Sequence, residues 1–118
     1  MKSQGDFEVR DVEGIMVVDV NGDVDITNAV QFESMLRDAA RADRRVVVVS
    51  LAGVHYLDSK GIHVLFDFLE HLTTTRQRLL LVAPDNASAR RLLEFAGLTQ
   101  LVPVFDSVST AVTAGRQG

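Results

Sequence analysis

Hydrophobic residues along this chain follow two rhythms, and their alternation predicts the architecture. Phe7, Val9 and Asp11 alternate with Glu8, Arg10 and Val12, a short strand over 7–12. Glu13-Gly14 reads as a tight turn, and Ile15 to Val20, largely β-branched, as a second strand. The two form a hairpin, so the domain opens β-β rather than β-α. Asn21-Gly22-Asp23-Val24-Asp25 reads as a turn rich in acceptors. Beyond Ile26-Thr27-Asn28 the rhythm changes. Phe32, Met35, Leu36, Ala39 and Ala40 fall at helical spacing, with Thr27 or Asn28 as the cap.

Val46 to Leu51 is the next strand, and its four consecutive valines predict burial on both faces, as in a parallel strand flanked by helices. A loop over Ala52 to Leu57 follows. Ser59 is the expected N-cap of a helix running from Ile62 to Leu72. Ile62, Leu65, Phe66, Leu69 and Leu72 are expected to face the core, and Gly61, Val64 and Phe68 widen the stripe to an arc of about 200° at 3.6 residues per turn. A helix covering one sheet face needs roughly half of that. The excess fits either a neighbouring helix or a docking strip.

Thr73 to Gln77 is a polar connection, and Leu79 to Ala83 a strand ended by Pro84. Asp85 and Asn86 are expected to cap a helix with Ala89, Leu92, Leu93 and Ala96 inward, stopped by Gly97. Val102 to Phe105 contains Pro103 and should be an edge strand. Asp106 or Ser107 then caps a closing helix, Val108 to Ala114. The order β-β-α-β-α-β-α-β-α predicts one α/β domain over 1–118: a mixed sheet, helices mostly on one face, later strands parallel through right-handed crossovers. Residues 1–5 and 115–118 are expected to be flexible ends.

Composition narrows the function classes. With 118 residues the chain can bury a core without staples. A formal charge of -4 and the absence of a Lys/Arg run argue against nucleic acid as a partner. Without cysteine there are no disulfides or thiolate metal sites. The opening residues hold no apolar stretch, and no run is long enough to span a bilayer, so the expectation is a cytoplasmic protein off the membrane.

The candidate chemistry centres on Asp58-Ser59-Lys60-Gly61, where a strand hands over to a helix at the carboxyl edge of the sheet. Ligands and partners of open α/β sheets are met there. Catalysis by Ser59 would require a base within reach. His55 lies in a loop, His63 on another azimuth of the helix, His71 far along it, and there is no Gly-x-Ser-x-Gly elbow. A metal would need Asp23, Asp25 and Asp58 to converge, but each also reads as a turn or capping residue. No cofactor loop is present. Ser59 as an acceptor of phosphate is physically natural. The group adds about -1.5 to -2 charges, and a helix N-terminus favours an anion by roughly 0.3–1 kcal/mol. Burial of that dianion in an interface would cost several kcal/mol. A switch of affinity with little change of fold follows.

Three stretches together resemble a known family. Gly22-Asp23-Val24-Asp25 before a helix, Val46 through Gly61 with its Asp-Ser-x-Gly signature, and Leu92 through Leu98 followed by Val104-Phe105-Asp106-Ser107 are similar to the STAS domains, and within them to the small stand-alone bacterial anti-sigma factor antagonists. The resemblance runs from Phe7 to Ala114. It implies a non-enzymatic regulator of transcription, without cofactor, that binds an anti-sigma factor which is also a serine kinase and so frees a sigma factor. ATP is held by the partner, and phosphorylation of Ser59 ends the contact. Asp58 would position Ser59, Asp23 and Asp25 would lie in the adjacent contact loop, and Gly61, Val64 and Phe68 would join the docking face. The chain would act as a monomer or weak homodimer. Lys60 departs from the small residue common after the serine and bears on kinase choice. The same resemblance allows a scaffold subunit of a stress-signalling complex. A response-regulator receiver fits less well, since receivers open β-α and carry a late lysine, whereas Lys60 is the last lysine here.

Overall fold

The computed structural model describes residues 6–117. The predicted flexible stretch 1–5 and residue 118 lie outside them. A five-stranded sheet carries the molecule, with β1 (Asp6–Val12), β2 (Ile15–Val24), β3 (Val46–Leu57), β4 (Arg78–Val82) and β5 (Val104–Phe105) side by side in chain order. β1 is antiparallel to β2, and every later pairing is parallel. The predicted hairpin, mixed sheet and central valine strand are all present. Glu13 and Gly14 both take positive φ, 53° and 89°, which makes the β1–β2 connection the tight turn that the sequence indicates.

Period-two alternation divides the apolar residues between the two faces. Val18, Val20, Val47, Val49, Leu79 and Leu81 point to one side, where α1 (Ala29–Ala40), α2 (Ser59–Thr74), α3 (Ser88–Ala96) and the single turn α4 (Leu98–Leu101) pack. Val17, Val46, Val48, Leu80 and Val82 point to the other, covered by Ala111 and Val112 of α5 (Val108–Gln117). Helices thus lie mostly on one face, as the sequence predicts. The turn α4 is an element that the periodicity does not reveal.

Two boundaries differ from the sequence reading for one reason. β2 continues through the stretch read as a turn, to Val24, and β3 through the stretch read as a loop, to Leu57. Their parallel ladder survives because register shifts fall between Asp19 and Asn21 and between Gly22 and Asp23. Each irregularity breaks the alternation, so the pattern mimics loop while the pairing continues. Gly53 marks the first of them. A Cβ there would sit 1.9 Å from the Asn21 Oδ1 oxygen.

Further differences come from caps and ends. Pro84 to Ala87 closes a turn through the Ala87 N–H, which donates to the Pro84 carbonyl at 2.9 Å. Asp85 and Asn86 are therefore inside the turn, and Ala87 takes the cap position of α3 without a side-chain bond. Leu92 is partly exposed rather than inward. Gly97 ends α3 at φ +85°, the left-handed stop expected of it. Ser107 caps α5, its Oγ accepting from the Thr110 N–H at 3.1 Å.

α5 continues through residue 115 to Gln117. Gly115 is buried in the last turn, where a Cβ would lie 2.9 Å from Ile15 Cδ1, 3.1 Å from Val46 Cγ1 and 3.4 Å from Leu80 Cδ1. Gly115→Val should therefore lower stability by about 1–3 kcal/mol through overpacking, read as a lower urea midpoint at unchanged slope. A midpoint equal to wild type would mean that the last turn of α5 is not docked.

Candidate functional site

The site is built where β2 and β3 end together. Val24 and Leu57 are parallel partners, and the Asp58 N–H donates to the Val24 carbonyl at 3.1 Å, one residue beyond the ladder. Asp58 is extended (φ -97°, ψ -175°), and its carbonyl accepts the first bond of α2 from the Ile62 N–H at 3.1 Å. Its carboxylate Oδ1 accepts from the N–H groups of Lys60 at 2.9 Å and Gly61 at 3.1 Å. Asp58 is thus the N-cap of α2.

This corrects the sequence reading, which gives the cap to Ser59. Asp and Ser are nearly equal as caps, so propensity does not choose between them. The bond that anchors Asp58 to Val24 decides it, and a carboxylate also suits the positive end of the helix dipole. Ser59 becomes the first helical residue. It is exposed, and its hydroxyl has no hydrogen bond among the described residues. Lys60 is exposed beside it.

The carboxyl end of β2 supplies the neighbouring loop. Asp25 Oδ1 accepts from both the N–H of Thr27, at 2.9 Å, and the Thr27 hydroxyl. Asn28 Oδ1 accepts from the Asp25 N–H at 3.0 Å, and Asn28 Nδ2 donates to the Asp23 carbonyl at 2.9 Å. Asn28 sits at the cap of α1 but spends its side chain on the loop, leaving that helix without a side-chain cap. Asp23 is half-buried opposite Tyr56, across the ladder. Asp23, Asp25, Asp58, Ser59 and Lys60 therefore gather at adjoining strand ends. Among the described residues no group of three or more histidine or acidic side chains is arranged to hold a metal ion.

Three expected docking residues are not at the surface. Gly61 is buried, Val64 is 8% exposed and Phe68 is 2% exposed, all turned into the core. A Cβ on Gly61 would lie 2.3 Å from Leu57 Cδ1 and 3.2 Å from Val24 Cγ1. That margin of α2 turns toward α1: His71 stacks on Phe68, and Arg37 of α1 reaches the His71 ring at 3.5 Å. The wide apolar stripe thus has its neighbouring helix, but on the side read as open. Ile62, Phe66 and Leu69, read as core, are only partly buried. At about 100° per residue, Ile62 and Phe66 lie within roughly 60° of the Ser59 azimuth.

Two further exposed apolar residues flank the loop, Ile26 at 67% and Val30 at 78%. Val30 falls outside the inward stripe of α1, and Ile26 lies in the turn before that helix. Among the described residues no helix is long and apolar enough to cross a membrane.

The two caps can be separated by mutation. Asp58→Ala should cost about 1 kcal/mol of unfolding free energy, whereas Ser59→Ala should stay within about 0.5 kcal/mol of wild type. Urea melts of both variants test this. Equal losses, or a larger loss at Ser59, would return the cap to the serine.

Comparison with known proteins agrees with this fold. The chain matches the STAS domain over residues 6–111. It is 24% identical over 108 residues to an anti-sigma F factor antagonist of Paenibacillus polymyxa, covering 91% of this chain and 92% of that protein. A crystal structure of an anti-sigma factor antagonist from Mycobacterium paratuberculosis superposes with a TM-score of 0.87 at 27% identity, over 96% of this chain and 95% of that one. The Bacillus cell fate determinant SpoIIAA in its phosphorylated form gives a TM-score of 0.70 over 92% of this chain and 98% of that one, a likeness of fold alone at 16% identity. With its sheet order, its helix arrangement and nearly its whole length matched, the chain belongs to the STAS domain family.

Proposed function

We propose that this STAS protein is an anti-sigma factor antagonist whose partner is both an anti-sigma factor and a serine kinase, and that phosphorylation of Ser59 ends their contact. The observation that carries this reading is the Ser59 hydroxyl: exposed, free of hydrogen bonds among the described residues, and released from capping by Asp58. Relatives named as anti-sigma factor antagonists support the partner class. The phosphorylated form of SpoIIAA supports phosphate on this fold.

In the proposed reaction the Ser59 oxygen attacks the γ-phosphorus of ATP held by the partner. The bond to ADP breaks as the new P–O bond forms, and the hydroxyl proton passes to water. The product adds about -1.5 to -2 charges beside Asp58 and the Asp23–Asp25 strand end. In the free protein these charges stay in water, and the start of α2 offsets part of them. In a complex that covers Ser59 they would be desolvated and set against existing carboxylates, which disfavours binding. Ile62 and Phe66, half-exposed on the Ser59 side of α2, and Ile26 and Val30 on the adjoining loop and helix supply apolar contact area. Lys60 stands next to the acceptor and bears on which kinase fits.

Incubation with ATP and the anti-sigma kinase of the same cell should add one phosphoryl group, at Ser59 only, by intact-mass and fragment mass spectrometry. Ser59→Ala should remain unlabelled and keep its partner. Ser59→Asp should bind at least about tenfold more weakly, equivalent to about 1.4 kcal/mol. Phosphate on another residue, or undiminished binding by the Asp variant, would sink the proposal. Lys60→Ser should alter which kinases accept the protein.

A further inference from the structure

At the end of the sheet opposite Ser59 the sign of the surface reverses. Arg45 precedes β3 and Arg78 opens β4, and the Arg78 N–H donates to the Arg45 carbonyl at 2.8 Å. Arg76 lies in the connection from α2, held at φ +61°, a conformation that favours glycine although the position carries a charge. Arg116 arrives from the last turn of α5. These four arginines, with the buried Val46 and Gly115 on the inner side, line a cavity of about 150 Å³. β3 separates the cavity from Ser59 by its 12 residues, at roughly 3.3 Å each.

The charge there is not balanced by the protein. Arg116 pairs with Glu13, and the nearby Arg44 with Asp11 at 2.8 Å. The side chains of Arg45, Arg76 and Arg78 form no ion pair among the described residues. Helix C-termini account for part of their presence, because α1, α2 and α5 all end at this edge. Each such end is worth only about half a negative charge, so three unpaired guanidinium groups exceed what the three ends offset. They do so in a chain whose overall charge is -4.

We infer that this cavity is an anion site for one or two phosphoryl groups. At about 30 Å³ per water the space holds about five waters, the scale of a phosphate or a diphosphate and too small for a nucleoside. Planar guanidinium forks match phosphoryl oxygens in bidentate geometry. The phosphoryl group is either a free inorganic anion or the phosphate tail of a larger molecule that extends into solvent. This site is separate from the proposed phosphorylation of Ser59, and its failure would leave that reading untouched.

Isothermal titration of the full chain at low ionic strength, with inorganic phosphate, pyrophosphate and ATP as separate probes, tests the site. Pyrophosphate should bind with one site per chain. Arg76→Ala and Arg78→Gln should each weaken it by about tenfold or more, the scale of a lost charge-assisted hydrogen bond. Arg91→Gln, the same change of charge on exposed α3, should leave the affinity unaltered. Tighter binding of ATP than of pyrophosphate would support the site and identify a phosphate tail. The reverse order would support it and identify a free anion. No saturable binding of any probe, or equal weakening by Arg91→Gln, would overturn the inference.

Discussion

One hydrogen bond sets the geometry on which the rest depends: the Asp58 N–H on the Val24 carbonyl. It extends the β2–β3 pairing one residue past the ladder and ties the entry of α2 to the end of β2. With the backbone of Asp58 fixed there, its carboxylate falls on the free N–H groups of Lys60 and Gly61. Gly61 then has to pass close to Leu57 and Val24, where a side chain would collide. Strand pairing, cap and helix direction are a single constraint, and the Ser59 position follows from it.

The division of labour between Asp58 and Ser59 has a chemical consequence. A serine that caps a helix holds its hydroxyl oxygen against a backbone N–H, at a worth of about 1 kcal/mol. Modification of such an oxygen would disturb the cap. Here the cap belongs to Asp58, so a substituent on Ser59 leaves the Lys60 and Gly61 N–H groups bonded to Asp58 as before. The fold would therefore tolerate such a substituent, which is the condition that the proposed switch of association requires.

Much of this was legible in the sequence. The hairpin, the doubly buried valine strand, the order of elements and the Asp-Ser-x-Gly corner all rest on strong local signals: alternation, four valines, Gly97 as a stop. What was not legible depends on contacts between distant segments. Asn21 to Val24 and Ala52 to Leu57 looked like turn and loop because register shifts disrupt alternation, yet each is strand because the other is there to pair with. The azimuth of α2 differs from the sequence reading for a similar reason. Its apolar arc is wider than one sheet face requires, and only the position of α1 decides that Val64 and Phe68 are inside while Ile62 and Phe66 are half outside. The stretch 115–118 reads as a tail because no apolar pattern marks it, whereas Gly115 lets α5 approach Ile15 and Val46, where a Cβ would collide.

The parallel sheet also sorts charge. The parallel β2-α1-β3 and β3-α2-β4 units aim the N-termini of α1 and α2 to one edge and their C-termini to the other. Dipoles then favour acids at the first edge and arginines at the second. Asp23, Asp25, Asp58, Asp85 and Asp106 lie at or just beyond the carboxyl ends of β2 to β5, and Arg44, Arg45, Arg76 and Arg78 at or just before the amino ends of β3 and β4. Dipole pairing alone would leave each edge close to neutral. Part of the charge is paired, Arg90 reaching Asp85 and Asp106 at the first edge and Arg116 reaching Glu13 at the second, whereas Arg45, Arg76 and Arg78 form no ion pair among the described residues. Charge beyond what the backbone needs lowers the stability of the free protein through mutual repulsion. At the arginine edge, that unpaired charge is what the proposed anion would offset.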